Sequence, residues 1–285
     1  MEIHKITTIG RPLNFAYFTN KLIISIAFLT SIIFTIITFF NYFRGETNNI
    51  SLITGIRAGL LVFLLWAISR ELDPDKEWGA FVTVSLALAF IIIFEIPKIL
   101  PFVWFLLILR IINHSSGMPA GIMDSFLGIA VGLILAYHIS WIYGILTAFG
   151  FIFDSRLNDP AKYHLPIGTM MLIISAIIYI QNGGMIFAHS SRSISFVVFA
   201  IILFLPVIIW PGKLESVGDR TNEPLDPARI KIARIMAIFV FFGIWTIPET
   251  QDTGIVQFIF CIFTGLGAYR IVSAILAKKR ESPLM

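Results

Sequence analysis

The sequence is poor in charge. Asp, Glu, Lys and Arg make up 13% of its 285 residues, about half the roughly 25% of a soluble domain. A single cysteine, Cys261, excludes an internal disulfide and a thiolate metal cluster. Set inside an apolar run, it reads as a small buried apolar residue. The five histidines (His4, His114, His138, His164 and His189) are dispersed, so no His-cluster metal or haem site is expected. There is no H-E-x-x-H, no phosphate-binding Walker loop, no G-x-S-x-G and no dinucleotide-binding glycine fingerprint. These absences exclude the motif-bearing soluble enzymes, and the net charge of +4 is not read as a nucleic-acid signal.

What the chain has is apolar length. Its apolar fraction is 57%, with 27 phenylalanines, gathered into long runs separated by short polar stretches. That is the pattern of bilayer-spanning helices. Clear spans are expected at 21–41, 50–69, 78–95, 98–113, 166–181, 192–210, 231–248 and 254–277. The first is too long for a signal peptide and lacks a small-residue cleavage site after it, so it is read as a spanning helix. The stretch 122–153 has one polar interruption, at Tyr137, His138 and Ser140, and fits either one long helix or a hairpin.

Charge placement separates the two. With the N-terminus in the cytosol and 122–153 folded as a hairpin, 17 of the 21 Lys and Arg residues face the cytosol. A single crossing turns the split into 7 inside and 14 outside, against the positive-inside rule. Each arm is about 22 Å of helix, short of the roughly 30 Å hydrocarbon core. The expected fold is therefore all-α: one integral membrane domain over 1–285, with eight clear spans plus the short membrane hairpin at 122–153, about ten helices in all. Both termini are cytosolic, and the protein is multi-pass in the cell (plasma) membrane. Residues 1–20 form an interfacial N-terminus, 211–230 the longest cytosolic loop and 278–285 a basic tail.

The partner this implies is the lipid bilayer, with neither nucleic acid nor a disulfide partner. Three Asp-Pro pairs, Asp73-Pro74, Asp159-Pro160 and Asp226-Pro227, have the form of helix starts, with Asp as cap and Pro at the first helical position.

Polar clusters carry what chemistry there is. Arg70 to Glu77 holds four carboxylates. If Asp73 opens a helix, Glu77 lies one turn on and the two can share a Mg²⁺ ion, which in turn holds a diphosphate. Lys213 to Arg229 repeats the spacing with Glu215 and Asp219. Asp73, Glu77, Glu215 and Asp219 are the candidate catalytic and Mg²⁺-binding residues; Arg70, Arg110, Asn113, Asp124 and Arg220 are candidates for binding substrate. The same residues also suit plainer roles: helix capping, anchoring in the headgroup zone, and an Arg110–Asp124 pair that neutralises charge near membrane depth. Arg57 is expected to snorkel or to pair with Glu95. The acidic residues are themselves gathered on the cytosolic side, 13 of 17, which the orientation rule does not require.

Arg11-Pro12 before the first span, and the pairs Asp73…Glu77 and Glu215…Asp219 in that order on cytosolic loops, with Gly218-Asp219-Arg220, resemble features of the UbiA-type intramembrane prenyltransferases. The resemblance implies Mg²⁺-dependent transfer from an isoprenoid diphosphate at a cytosol-facing acidic site. It departs from that family in three ways. Ser69-Arg70 stands where the first motif opens with Asn-Asp, Glu replaces Asp in both pairs, and two spans rather than three follow the second cluster.

The function expected from these features is a membrane-embedded enzyme for a lipid-type or diphosphate-bearing substrate. The alternatives are a small-solute transporter, with His138, Asn182 or Arg57 lining a midplane cavity, and a non-catalytic membrane subunit.

Overall fold

The computed structural model describes residues 7–11, 13–44, 52–181, 194–210, 214–247 and 254–281. Among them are ten α-helices and no strand: α1 (Phe18–Phe43), α2 (Leu52–Leu72), α3 (Glu77–Ile93), α4 (Leu100–Asn113), α5 (Ile122–His138), α6 (Ile142–Asp154), α7 (His164–Gln181), α8 (Ile194–Ile209), α9 (Pro227–Trp245) and α10 (Ile255–Glu281). The stretch 122–153 is two helices that pack on each other, α5 and α6, parted at Ile139–Trp141. The turn follows the polar interruption in the sequence.

Segments Phe18–Tyr42, Leu52–Leu72, His164–Gln181 and Ile255–Lys279 are long and apolar enough to cross a membrane, which marks a helical membrane protein. Helices α3, α4, α5, α6 and α8 are apolar but shorter. Large apolar side chains face outward in number, among them Phe28 and Ile36 on α1 and Ile92 and Ile93 on α3. In water such a surface would aggregate; in lipid it is the solvated surface.

The bundle core is a single cluster of buried apolar residues built on α2, α4, α9 and α10, with α3, α6 and α8 against them. Trp104 on α4 lies at its centre, with its indole N–H donated to Thr147 Oγ1 on α6 (2.8 Å) and its ring edge-on to Tyr143. Apolar surface drives no helix association inside lipid, so close backbone approach has to do it. Helix α1, only 11% buried along its span, is held to α2 in this way. Gly55 and Gly59 on α2 face Ala27, Ser31 and Thr35 on α1. A Cβ at Gly59 would lie 2.4 Å from the Ala27 carbonyl oxygen, and one at Gly55 2.4 Å from that of Ser31.

The Asp-Pro pairs behave differently from one another. Asp226 caps α9, accepting from Ala228 N at 2.8 Å. Asp73 caps nothing: α3 starts at Glu77, and no side chain caps it. Asp159 sits at φ +49° in the turn before α7. Pro12, Asn182 and Lys213 lie outside the described residues.

Candidate functional site

Because the helices alternate in direction, the end of α2, the starts of α3, α5, α7 and α9, and the ends of α4 and α6 meet at one end of the bundle. Almost every charged residue singled out in the sequence is found there, in two clusters set back to back across the tripeptide Asn113-His114-Ser115.

The first cluster is centred on Glu71, which is 2% exposed. Arg110 Nε donates to its Oε1 at 3.0 Å, and Arg11 Nη1 lies 3.5 Å from the same oxygen. Asn113 Nδ2 donates to Glu71 Oε2 at 3.2 Å and to its backbone oxygen at 2.8 Å, and Ser115 Oγ adds a long bond of 3.3 Å. Arg11 reaches onward to Asp219, with Nε and Nη2 at 2.5 and 3.0 Å from its two oxygens. Burial works against the charge on Arg11, but Glu71 and Asp219 outweigh it and hold the guanidinium above its usual range. Arg70, the residue before Glu71, donates to the Pro74 carbonyl at 2.7 Å and pairs with Glu77 at 3.0 Å. Asn113 Oδ1, buried beside Glu71, has no donor within reach.

The four candidate metal ligands are brought to this end but not to one point. Asp73, 1% exposed, is bound through both oxygens by Arg270 Nε and Nη2 (2.7 and 2.6 Å), with Arg234 Nη2 3.6 Å away. Asp73 and Glu77 do not share a helix face, because Asp73 lies before α3 and turns to α10 while Glu77 turns to Arg70. Glu215 lies before, and Asp219 within, the loop closed by the Val217–Pro224 bridge, so their four-residue spacing does not stack them either. Asp219 takes Arg11, and Glu215 gives its backbone N–H to Asp75 (3.3 Å). Among the described residues, no group of three or more His, Cys, Asp or Glu is placed to hold a metal ion.

Two expected pairs are replaced by others. Arg110 pairs with Glu71, not Asp124. Asp124, in the first turn of α5, accepts from Thr8 N and Thr8 Oγ1 (both 2.7 Å), Gly121 N (3.1 Å), Ile9 N and Thr7 Oγ1. It thus pins the N-terminal segment to the bundle. Arg57 donates to the carbonyls of Ile96 (2.7 Å) and Pro97 (3.0 Å), not to Glu95. Its guanidinium saturates a chain bend before α4. Arg220 holds the N-terminal segment from the other side, through Thr7 O (2.8 Å) and Gly10 O (3.3 Å). Its own N–H bonds Ser116 O at 3.0 Å. That loop contact is tight: a Cβ at Gly218 would stand 2.6 Å from Gly117 Cα, and Gly117 itself is at φ +87°.

The second cluster is centred on Asp154, the last residue of α6, with 0% exposure. Arg229 Nη1 donates to Oδ1 at 2.7 Å and also to Ile112 O at 2.8 Å; its Nη2 bonds Asn158 O. His164 Nδ1 lies 2.5 Å from Oδ2, and His164 Nε2 lies 2.8 Å from Ser125 Oγ. His114 Nε2 approaches Oδ1 to 2.8 Å, out of line for a hydrogen bond. Burial pushes the His114 imidazole below the ordinary histidine range; Asp154 opposes the shift and Arg229 adds to it.

Asp154 itself, His164 and Ser125 were not singled out from the sequence for chemistry. Asp154 closes an apolar run and His164 opens one, so each passes for a boundary residue. The available signal was charge at helix ends where membrane depth begins, at Asp154, Arg229 and Arg234.

Protein-family models, curated proteins and solved structures were compared with the chain, and none matches it.

Proposed function

We propose that this chain is a multi-pass protein of the cell membrane, with eight spans plus the α5–α6 hairpin and both termini in the cytosol. We further propose that its polar end is a membrane-embedded enzyme site that takes a lipid-type substrate by its phosphate-bearing headgroup. One observation carries the reading. Two arginines, Arg11 and Arg110, hold the buried Glu71, Arg70 next to it in sequence pairs with Glu77, and the three side chains keep 22%, 20% and 18% exposure.

Glu71 is inside and fixes the guanidinium groups of Arg11 and Arg110, while the Pro74 carbonyl and Glu77 hold that of Arg70. The outer partners, Asp219 and Glu77, have side chains that are 29% and 42% exposed. A phosphate or diphosphate presents the same kind of acceptor oxygens as those rim carboxylates, and guanidinium groups bind phosphate through paired donors. A headgroup therefore replaces the rim carboxylates on arginines that are already in position. Asn113 Oδ1 offers it one acceptor. Asp219 and Glu77, released from their arginines by the headgroup, would be carboxylates available to a Mg²⁺ ion accompanying a diphosphate.

The topology agrees with the chemistry. The positive-inside count puts this end at the cytosolic face, where headgroups and soluble phosphates are both within reach.

The test is thermal unfolding of the purified protein with phosphatidic acid or an isoprenoid diphosphate, each with and without Mg²⁺. A ligand of the folded state raises apparent stability by mass action. A saturable rise that is lost in an Arg11→Gln/Arg70→Gln variant is expected. Equal curves for both proteins overturn the reading.

A further inference from the structure

The Ser125–His164–Asp154 chain joins three helices and is not used by the headgroup site. Its geometry is that of an activated hydroxyl. His164 Nδ1 beside the Asp154 carboxylate carries the ring proton, which leaves Nε2 as an acceptor facing Ser125 Oγ at 2.8 Å. A base within hydrogen-bond reach of the nucleophile, itself oriented by a third group, is the arrangement that generates an attacking oxygen on unrelated folds. Arg229 on the other carboxylate oxygen keeps Asp154 ionised and fixed. The Ser125 hydroxyl has two acceptors in range, Nε2 and the Gly121 carbonyl at 3.0 Å, so a rotation about one bond moves it between a resting and an attacking position.

The surroundings select the substrate. Ser125 and His164 lie in the first turns of α5 and α7, at the level of the headgroup cluster. Asn113 and Ser115 bond Glu71, while His114 between them touches Asp154. Helix α7 turns His164, Gly168, Met171 and Ser175 inward, while Leu165, Thr169, Met170 and Ile173 line a shallow groove on its opposite, outward face. Helix α7 rests mainly on α6 and lightly on α5. Since Ser125 and His164 are 1% and 0% exposed, access to them from the lipid requires α5 and α7 to part.

We propose that Ser125 is the nucleophile and His164 the general base of an ester-cleaving reaction on a phosphate-bearing acyl lipid, with Asp154 as the positioning residue. In the first step Ser125 Oγ bonds to the acyl carbon and its proton passes to His164 Nε2. The ester C–O bond then breaks, and the leaving alcohol takes that proton. Water repeats the sequence on the acyl-serine and releases the carboxylic acid. The substrate class rests on the headgroup reading above; the nucleophile does not.

The experiment uses the full chain in lipid nanodiscs with an alkyl fluorophosphonate, followed by peptide mass spectrometry. Attack of Oγ on phosphorus expels fluoride, and the proton goes to His164. The expected result is an adduct on Ser125, absent in Ser125→Ala and slowed at least tenfold in His164→Gln. Ser125→Cys with an apolar maleimide reports access independently of His164, and thermal unfolding confirms that each variant is folded. An unlabelled Ser125, in a protein whose Cys variant also stays unreacted, overturns the proposal. If phosphate-bearing lipid still stabilises that protein, only this inference fails. If labelling occurs without such stabilisation, the nucleophile stands and the headgroup reading fails.

Discussion

Arg270 Nε and Nη2 grip the two oxygens of Asp73 at 2.7 and 2.6 Å, tying the turn after α2 to the last helix. The side chains of both residues are nearly buried, 9% and 1% exposed, and Arg234 stands behind them at 3.6 Å from Asp73. A carboxylate so held is a structural rivet before it is anything else. Asp73→Asn removes the buried carboxylate that both guanidinium groups face. Breaking a buried pair from one side costs about 3–5 kcal/mol, so the variant is expected to unfold at a markedly lower temperature in detergent. Adding Arg270→Met is expected to restore part of the loss, and the double-mutant cycle measures the coupling.

The α1–α2 seam gives a second expectation. Leucine at Gly59 cannot be relieved by rotating a side chain, because the Cβ itself meets the Ala27 carbonyl oxygen at 2.4 Å. Overpacking of this kind costs about 1–3 kcal/mol, enough to loosen a helix whose span is 11% buried. Disulfide trapping between cysteines placed on α1 and α2, in a Cys261→Ser background, is expected to fall in Gly59→Leu. The remaining helices should stay packed, as read by an unchanged thermal transition of the bundle.

His114 gives a pH dependence with a definite sign. Its folded pKa lies below the ordinary value of about 6.5, chiefly through burial, so between those two pH values the unfolded chain binds the proton more readily. Stability is then full above about pH 6.5 and is lost as pH falls from there toward the folded pKa. The groups facing the ring are Asp154, Arg229 and His164. His114→Asn keeps a side chain that tolerates the residue's φ of +50° and removes the titration. The mid-acid slope of the unfolding temperature is therefore expected to flatten in that variant.

Much of the architecture was legible because the bilayer leaves few choices. Apolar runs become helices, and the polar interruption at Tyr137, His138 and Ser140 is followed by the α5–α6 turn because it is a poorer helix interior than the runs beside it. Asp226 caps α9 as its Asp-Pro pair suggests. Asp73-Pro74 looks identical in sequence and does something else, because Arg270, 197 residues away, claims the carboxylate. Local spacing also misled at Glu215 and Asp219: four residues define a face only on a helix, and this segment is a bridged loop. The same distance in sequence hides Ser125, His164 and Asp154, which come from three helices and meet only through the packing of α5, α6 and α7.

Native mass spectrometry of the protein released from mixed bilayers tests the account's centre, the arginine site around Glu71, most directly. The prediction is a retained phosphate-bearing lipid on the wild type, displaced by soluble diphosphate and lost in Arg11→Gln/Arg70→Gln, while zwitterionic lipid adducts are unchanged. The same phosphate-bearing adduct at the same occupancy in wild type and variant would contradict it.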